Sequence, residues 1–214
     1  MKTLVLLSGG LDSTAALIRA AHDGAEGLAA IWFYYAQPAS HREVYCALKA
    51  ADAVDATFYR CDLQSVVHGA TTGLMLPQDH ALIAGRNTAF LPGRNAMLLA
   101  TAAARAGTLW GSEEVDLVVG FNTEDAGGFP DCTAAFIDAM GAALRQGGAR
   151  VRITAPWLTS SKAEIIAWVS AHAPERMALL EASWSCYRHD GPCGACTPCV
   201  SRAEAGFPSP RAPR

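Results

Sequence analysis

Short continuous apolar runs alternate along the chain with longer segments in which apolar residues recur every three or four positions. The continuous runs are typical of strands buried on both faces of a parallel sheet, and the periodic segments are typical of amphipathic helices. Strands are predicted at 3–7, 28–35, 56–63, 115–120 and 151–157, and helices at 12–22, 41–54, 96–106, 133–145 and 163–172. This alternation predicts an α/β fold with a Rossmann-like open parallel sheet and helices on both of its faces.

The most informative polar stretch follows the first predicted strand. It reads Ser8-Gly9-Gly10-Leu11-Asp12-Ser13-Thr14 and leads directly into a predicted helix. Backbone N–H groups at a helix N-terminus bind anions, the glycines let a phosphate approach the main chain, and the hydroxyls add donors. Asp12 fits either a helix cap or a metal ligand. An ordinary capped loop is the alternative interpretation, but Ser-Gly-Gly-x-Asp-Ser after a buried strand is far more specific, and the commoner Gly-x-x-x-x-Gly-Lys and Gly-x-Gly-x-x-Gly loops are absent.

Three more polar segments lie where predicted strands meet helices. The turn 90–95 places Arg94 and Asn95 at the start of a helix. There the Arg94 guanidinium could bind phosphate and the Asn95 amide could bind an adenine edge. The alternative is a turn with a solvated arginine. The segment 122–132 carries glycines and carboxylates and fits a substrate loop. Residues 161–164 form a capping box, and Lys162 in its first turn opposes the helix dipole unless an anion lies nearby.

Four of the seven cysteines cluster near the C-terminus, at Cys186, Cys193, Cys196 and Cys199. In a cytoplasmic protein such a cluster favours metal ligands over disulfides. Four thiolates complete a tetrahedral zinc site and leave no position for a reacting water, so the expected role is structural. An iron–sulfur cluster and a redox pair are the alternatives, and His189 is not needed as a ligand.

Composition restricts the class of protein further. With 51% hydrophobic and 17% charged residues over 214 positions, the chain is expected to fold as one main soluble domain. The net charge of −3 argues against a nucleic-acid partner. No apolar run reaches the roughly 18 residues of a membrane span. Because Met1-Lys2-Thr3 leads straight into the first strand, no signal peptide is expected, and a cytoplasmic location is predicted.

The predicted organisation has three parts. A main domain at 1–180 precedes a small C-terminal zinc-binding segment at 181–206, and the proline- and arginine-rich tail at 207–214 is expected to be disordered. The weakly patterned segment 64–88 fits a mobile lid and a plain connector equally well.

Taken together, these motifs resemble the QueC family of 7-cyano-7-deazaguanine synthases, which belongs to the PP-loop ATP pyrophosphatases. The likeness covers nearly the whole chain in the family's order. It rests on Ser8 to Ser13, Phe90 to Asn95, Gly128-Phe129-Pro130-Asp131-Cys132, Lys162-Ala163-Glu164 and the cysteine spacing. The resemblance implies an adenine-nucleotide-alpha-hydrolase-like fold, a structural zinc and a homodimer.

The resemblance also implies an ATP-dependent, AMP-forming ligase. ATP, with Mg²⁺, would adenylate 7-carboxy-7-deazaguanine; ammonia would give the amide, and a second adenylation would give the nitrile. The implied catalytic residues are Asp12, Ser13, Arg94 and Lys162. The implied ATP-binding residues are Leu7, Ser8, Gly9, Gly10, Leu11, Asp12, Ser13, Thr14, Gly93, Arg94, Asn95 and Lys162. The implied substrate-binding residues are Asn122, Thr123, Asp125, Gly128, Phe129 and Asp131.

The departures from the family pattern lie on the acceptor side. Gln37 is followed by an apparent insertion, Thr123 replaces an acidic residue or glutamine, Ala126 replaces an aromatic residue, and Trp184 replaces a smaller aliphatic one. Three hypotheses therefore stay open. The first is the family reaction with ammonia. The second is a paralogue, as in phage-defence loci, that passes the activated acyl group to another amine such as the N-terminus of a partner protein. The third is a non-catalytic nucleotide-binding module.

Overall fold

The computed structural model describes residues 1–67, 90–188 and 191–208. Its five strands form one parallel sheet in the order β3-β2-β1-β4-β5. The strands are β1 Lys2–Leu6, β2 Gly27–Tyr34, β3 Thr57–Asp62, β4 Val115–Val118 and β5 Val151–Thr154. The helices are α1 Leu11–His22, α2 Ser40–Ala53, α3 Arg94–Trp110, α4 Thr123–Gly128, α5 Ala134–Gln146, α6 Lys162–His172, α7 Met177–Ala182 and α8 Thr197–Glu204. Short 3-10 turns lie at Gln64–Val66, Pro130–Cys132 and Pro174–Arg176.

Two apolar layers enclose the sheet, because parallel neighbours need crossover connections that place helices on its faces. Helices α1, α2, α6 and α7 pack on one face, and α3 and α5 pack on the other. The central strand β1 supplies both layers: Val5 faces α1 and Leu4 faces α3, and both side chains are fully buried. Burial on both faces explains why β1 reads as a continuous apolar run.

A third, smaller apolar cluster lies beside the main sheet. It joins Ala39, before α2, to Trp184 and to three of the clustered cysteines, Cys186, Cys196 and Cys199. The cysteine-rich segment therefore packs against the start of α2 through a small core of its own.

The predicted α/β fold is confirmed, and most predicted element bounds lie within one or two residues of those observed. Three details are wrong. Helix α3 begins at Arg94 rather than at 96 and reaches Trp110 rather than 106. Segment 122–132 is not an open loop, because Asn122 caps the short helix α4. Strand β5 ends at Thr154 rather than at 157, shortly before Pro156, which has no N–H for a sheet ladder.

Parts of the predictions fall outside the described residues. They are most of segment 64–88, His189, and residues 209–214 of the tail. Helices α7 and α8 were not predicted, and the division of the chain at 180 and 206 stays a prediction.

Gly9 shows how tightly the loop after β1 packs against α2. Its φ is +85°, and a Cβ built there would lie 2.2 Å from the backbone oxygen of Glu43. An alanine would meet both an unfavourable backbone angle and a fixed carbonyl, so the loop must move away from α2 to accept it.

Gly9→Ala is expected to destabilise the protein by about 2 kcal/mol or more, because the backbone strain and the steric clash add. Gly24→Ala is the matched control, since Gly24 has a φ of +77° with nothing within 4 Å of the added methyl group. Urea unfolding of both variants measures the difference. Equal losses would show that the contact with Glu43 is not tight.

Candidate functional site

A cavity of about 250 Å³ opens at the carboxyl edge of the sheet, where ligands bind in open α/β sheets. Tyr35, after β2, and four other parts of the chain line it. They are the loop after β1, the first turns of α3, the segment from Val119 to Cys132, and the cysteine-rich segment with Trp184, Ser185, Tyr187 and Pro198.

The loop after β1 is fixed by its own hydroxyls. The Oγ atoms of Ser8 and Ser13 lie 2.9 Å apart, and Ser8 N donates to Ser13 Oγ at 3.2 Å. Gly10 is the N-cap of α1 and has no side chain of its own with which to cap that helix end. Ser8, Gly10, Asp12 and Ser13 line the cavity. The structure thus places a helix N-terminus and two hydroxyls at the cavity, as an anion site requires.

Other predicted nucleotide residues lie behind this wall. Leu7, Leu11 and Thr14 are almost fully buried, and Thr14 Oγ1 has no hydrogen-bond partner. Leu7, Gly9, Leu11, Thr14, Gly93 and Lys162 are not among the residues that line the cavity. Of these, Leu7 and Leu11 belong to the apolar layer that holds the loop in place.

Lys162 begins α6 and is only 6% exposed. Its Nζ donates to both oxygens of Asp12, at 3.0 and 2.9 Å, and lies 3.4 Å from Oε2 of Glu124. Burial lowers the pKa of Lys162, but the carboxylates of Asp12 and Glu124 outweigh it, so the pKa is raised. Lys162 opposes the helix dipole unless an anion lies nearby, and the protein itself supplies this anion as the carboxylates of Asp12 and Glu124.

Two capping boxes hold the elements around Lys162. Ser161 Oγ accepts from Glu164 N while Glu164 accepts from Ser161 N, as predicted. Asn122 forms the second box with Asp125, which sequence reasoning missed although its Asn-x-x-Asp spacing is visible. Asn122 is fully buried, and its Nδ2 has no partner.

Asp125 lies at the cavity in an unfavourable setting for a charge. Burial, and then the nearby charge of Asp12, raise its pKa to about 7, although Lys162 opposes the shift. A carboxyl group that is half protonated near neutral pH can either accept or donate a hydrogen bond.

Arg94, the first residue of α3, lines the cavity and is half-buried rather than solvated. Burial lowers its pKa, but Tyr35, Tyr187 and Asp131 outweigh that effect and raise it. The alternative of a turn with a solvated arginine is therefore wrong.

The amide nitrogen of Asn95 already donates hydrogen bonds within the protein, so it is not free to donate to a ligand. Nδ2 donates to the Asp131 carbonyl at 3.2 Å and to Cys132 Sγ at 3.3 Å. Asp131 in turn accepts from Asn95 N at 3.4 Å through Oδ2, and its buried Oδ1 has no partner. These contacts join α3 to the segment after α4.

The predicted substrate residues divide into three groups. Asp125 and Phe129 line the cavity, whereas Thr123 and Gly128 are exposed. Asn122 and Asp131 are buried beside it. The structure therefore brings part of the predicted set to the cavity, and the rest supports or borders α4.

The four clustered cysteines meet in space. Their Sγ atoms all lie within 4.8 Å of one another, and those of Cys186 and Cys196 are 3.9 Å apart. Tetrahedral zinc with Zn–S bonds of about 2.3 Å separates its sulfurs by roughly 3.8 Å. Backbone N–H groups of Cys193 and Cys196 donate to Cys186 and Cys193 Sγ, each at 3.3 Å, as ligand thiolates require. The residues fit a structural zinc.

Arg202 of α8 attaches this cysteine-rich segment to the rest of the protein. It is fully buried and donates to Leu180 O, Ser183 O, Ser183 Oγ, Ser185 Oγ and Phe207 O at 2.8–3.2 Å. Ser201, one residue earlier, donates to Glu124 Oε2 at 2.6 Å. Sequence reasoning missed both residues, since neither carries a local signal of burial.

The same segment also contacts the loop after β1. Trp184 N donates to Gly9 O at 2.8 Å, and Ser185 Oγ accepts from Leu11 N at 3.3 Å. Ser185 thus caps the helix end that Gly10 leaves open.

This fold and site define a protein of the Rossmann-like α/β class with a cysteine cluster of metal-site geometry beside its ligand cavity. An NMN synthetase from Francisella tularensis shares the fold, with a TM-score of 0.52 over 98% of this chain and 79% of that one, at 13% identity. No helix in the described ranges is long and apolar enough to cross a membrane.

The sequence comparisons are more specific. The family model of the queuosine biosynthesis protein QueC matches residues 2–209. The 7-cyano-7-deazaguanine synthase of Methanosarcina barkeri is 36% identical, covering 96% of this chain and 93% of the relative. That of Koribacter versatilis is 32% identical, covering 100% and 94%. The chain belongs to the QueC family, as its motifs predicted.

The purified protein is expected to contain about one zinc per chain, because four thiolates complete one tetrahedral site. Cys196→Ser should lose the metal and destabilise the protein, since metal binding stabilises the folded segment. Elemental analysis and thermal unfolding measure both effects. Cys61→Ser in β3 is the control, because Cys61 lies outside the cluster. Equal metal content in the two variants would contradict the assignment.

Proposed function

We propose that this chain adenylates the carboxylate of 7-carboxy-7-deazaguanine with ATP and converts it with ammonia, through the amide, to 7-cyano-7-deazaguanine. Membership of the family of 7-cyano-7-deazaguanine synthases supports the overall reaction. The observation that carries the chemistry is the ion pair of the buried Lys162 with the half-buried Asp12 at the glycine loop, beside a cavity that opens at the carboxyl edge of the sheet.

The proposed mechanism is positioning and charge stabilisation. The substrate carboxylate attacks the α-phosphate of ATP, a P–O bond forms, and the bond to the leaving pyrophosphate breaks. The backbone N–H groups at the start of α1 and the hydroxyls of Ser8 and Ser13 bind the departing pyrophosphate. Lys162 and Arg94 stabilise the added negative charge from two sides of the site.

The later steps use the same groups. Ammonia attacks the acyl carbon, and AMP leaves with the bonding electrons to give the amide. A second ATP activates the amide oxygen, and loss of AMP with a proton from nitrogen gives the nitrile. Mg²⁺ accompanying ATP would offset phosphate charge, and the carboxylates of Asp12 and Asp125, which line the cavity, would be its oxygen ligands.

The deazaguanine is proposed to bind to three side chains, those of Phe129, Asp125 and Asp131. Phe129 lines the cavity as an aromatic surface, which suits a flat heterocycle. Asp125 lines the same cavity, and Asp131 has a buried carboxylate oxygen without a partner beside it, suited to an N–H donor such as a ring nitrogen.

The alternative is transfer of the acyl group to another amine. Of the departures from the family pattern, Thr123 is exposed and Ala126 is not a lining residue, whereas Trp184 lies in the cavity wall. Only Trp184 therefore acts directly on the shape of the described cavity, which favours the family reaction.

The decisive experiment incubates the protein with ATP, 7-carboxy-7-deazaguanine and ammonium, followed by mass spectrometry. Free nitrile together with AMP supports the proposal. AMP that appears only with a protein amine supports the alternative, and absence of AMP with every acceptor would remove both enzymatic functions.

Lys162→Gln is expected to lower AMP formation by ~100-fold or more, because the charge that stabilises the transition state is lost. Lys49→Gln, on the exposed side of α2, should leave the rate unchanged. Steady-state AMP release measures both, with thermal unfolding to verify that each variant is folded. A fully active, folded Lys162→Gln variant would contradict the assigned role.

A further inference from the structure

A second, smaller cavity adjoins the one described above. It has a volume of about 70 Å³ and shares Leu6, Ser8, Tyr35 and Leu98 with the larger cavity. The rest of its lining is Leu7, Trp32, Phe33, Gln37 and Glu43. One water molecule needs roughly 10–15 Å³ of such space, so the cavity has room for a few molecules of the size of water or ammonia.

Glu43 is the one acidic side chain among the residues that line this small cavity. It lies in the first turn of α2, with its backbone oxygen against Gly9. The side chain is thus placed directly behind the loop that contains Ser8. No sequence motif marks Glu43, because its contact with Gly9 joins residues that are far apart in sequence.

Gln37 orients the carboxylate of Glu43. It is 3% exposed, and its Nε2 donates to Glu43 Oε2 and to Phe33 O, each at 2.9 Å. Its Oε1 accepts from Tyr35 N at 2.8 Å. The two contacts to the end of β2 fix the amide, which in turn holds Glu43 toward the cavity.

The charge of Glu43 is poised near neutral pH. Burial raises its pKa to about 7, while the hydrogen bond from Gln37 and the guanidinium of Arg94 oppose the shift. Tyr35 at the end of β2 and Cys46 one turn later in α2 also interact with it. Because its pKa lies close to neutral pH, this carboxylate can accept a proton from a cation and release it again.

We infer that the small cavity binds ammonium and that Glu43 is the base that converts it to ammonia for attack on the acyl adenylate in the larger cavity. The inference rests on the proposed function and extends it by assigning the site and the base of the second substrate.

The proton balance is complete with these groups. Ammonium gives one proton to the Glu43 carboxylate and becomes ammonia, whose nitrogen lone pair forms the C–N bond. AMP leaves with the electron pair of the broken C–O bond, and the attacking nitrogen loses a second proton to the solvent. Glu43 then releases its proton to solvent, which restores the carboxylate.

This assignment predicts a pH dependence specific to ammonium. Glu43 accepts a proton only when ionised, so the rate with ammonium should fall as the pH drops below about 7. Hydroxylamine is mostly unprotonated at neutral pH and needs no such base, so it should react independently of Glu43.

The test compares Glu43→Gln with Asp52→Asn, an exposed carboxylate on the same helix. The exchange of pyrophosphate into ATP in the presence of 7-carboxy-7-deazaguanine, measured without ammonium, reports adenylation alone. For Glu43→Gln we expect unchanged exchange, an unchanged KM for ATP, and kcat/KM for ammonium reduced by ~100-fold or more. The reaction with hydroxylamine should persist, and Asp52→Asn should match the wild type throughout.

Each contrary outcome is distinct. Normal use of ammonium by Glu43→Gln overturns the inference and leaves the proposed function intact. Loss of the hydroxylamine reaction or of pyrophosphate exchange in that variant assigns Glu43 a structural role and also overturns it. A wild-type protein that exchanges no pyrophosphate overturns the proposed function and, with it, the role of Glu43.

Discussion

The candidate site depends on the hydrogen bonds that the buried guanidinium of Arg202 donates. Burying a cation costs several kcal/mol unless hydrogen bonds compensate, and Arg202 finds them in Leu180, Ser183, Ser185 and Phe207. Since these acceptors satisfy a planar fork of donors, the cysteine-rich segment has one favourable docking geometry. That geometry sets Ser185 on the first free N–H of α1 and so completes the loop after β1.

Electrostatics around the cavity follow from this docking. Ser201 holds Glu124, which contacts both the backbone N–H and the side chain of Lys162, and Lys162 in turn binds Asp12. The cysteine-rich segment thus reaches the lysine through the carboxylate of Glu124. A metal in the cysteine cluster would act on the chemistry through position rather than through contact with the reacting atoms.

Local patterns predicted what local forces decide. The apolar run of β1, the capping box at Ser161 and the cysteine spacing each depend on neighbours in sequence, and the structure has all three. The contacts of Arg202 and Glu43 join segments that meet only after folding, and burial of a charge has no signature in the residue itself. Helix α4 was missed for another reason, because its two glycines outweighed the signal of the Asn122 cap.

The contact between Leu11 and Ser185 spans 174 positions of the chain. During synthesis, the glycine loop leaves the ribosome long before Trp184, Ser185 and Arg202. A nascent chain can therefore form most of its sheet well before it has a finished cavity. Until Ser185 emerges, the Leu11 N–H lacks this partner, so the order of synthesis makes the cavity one of the last parts of the described fold to be completed.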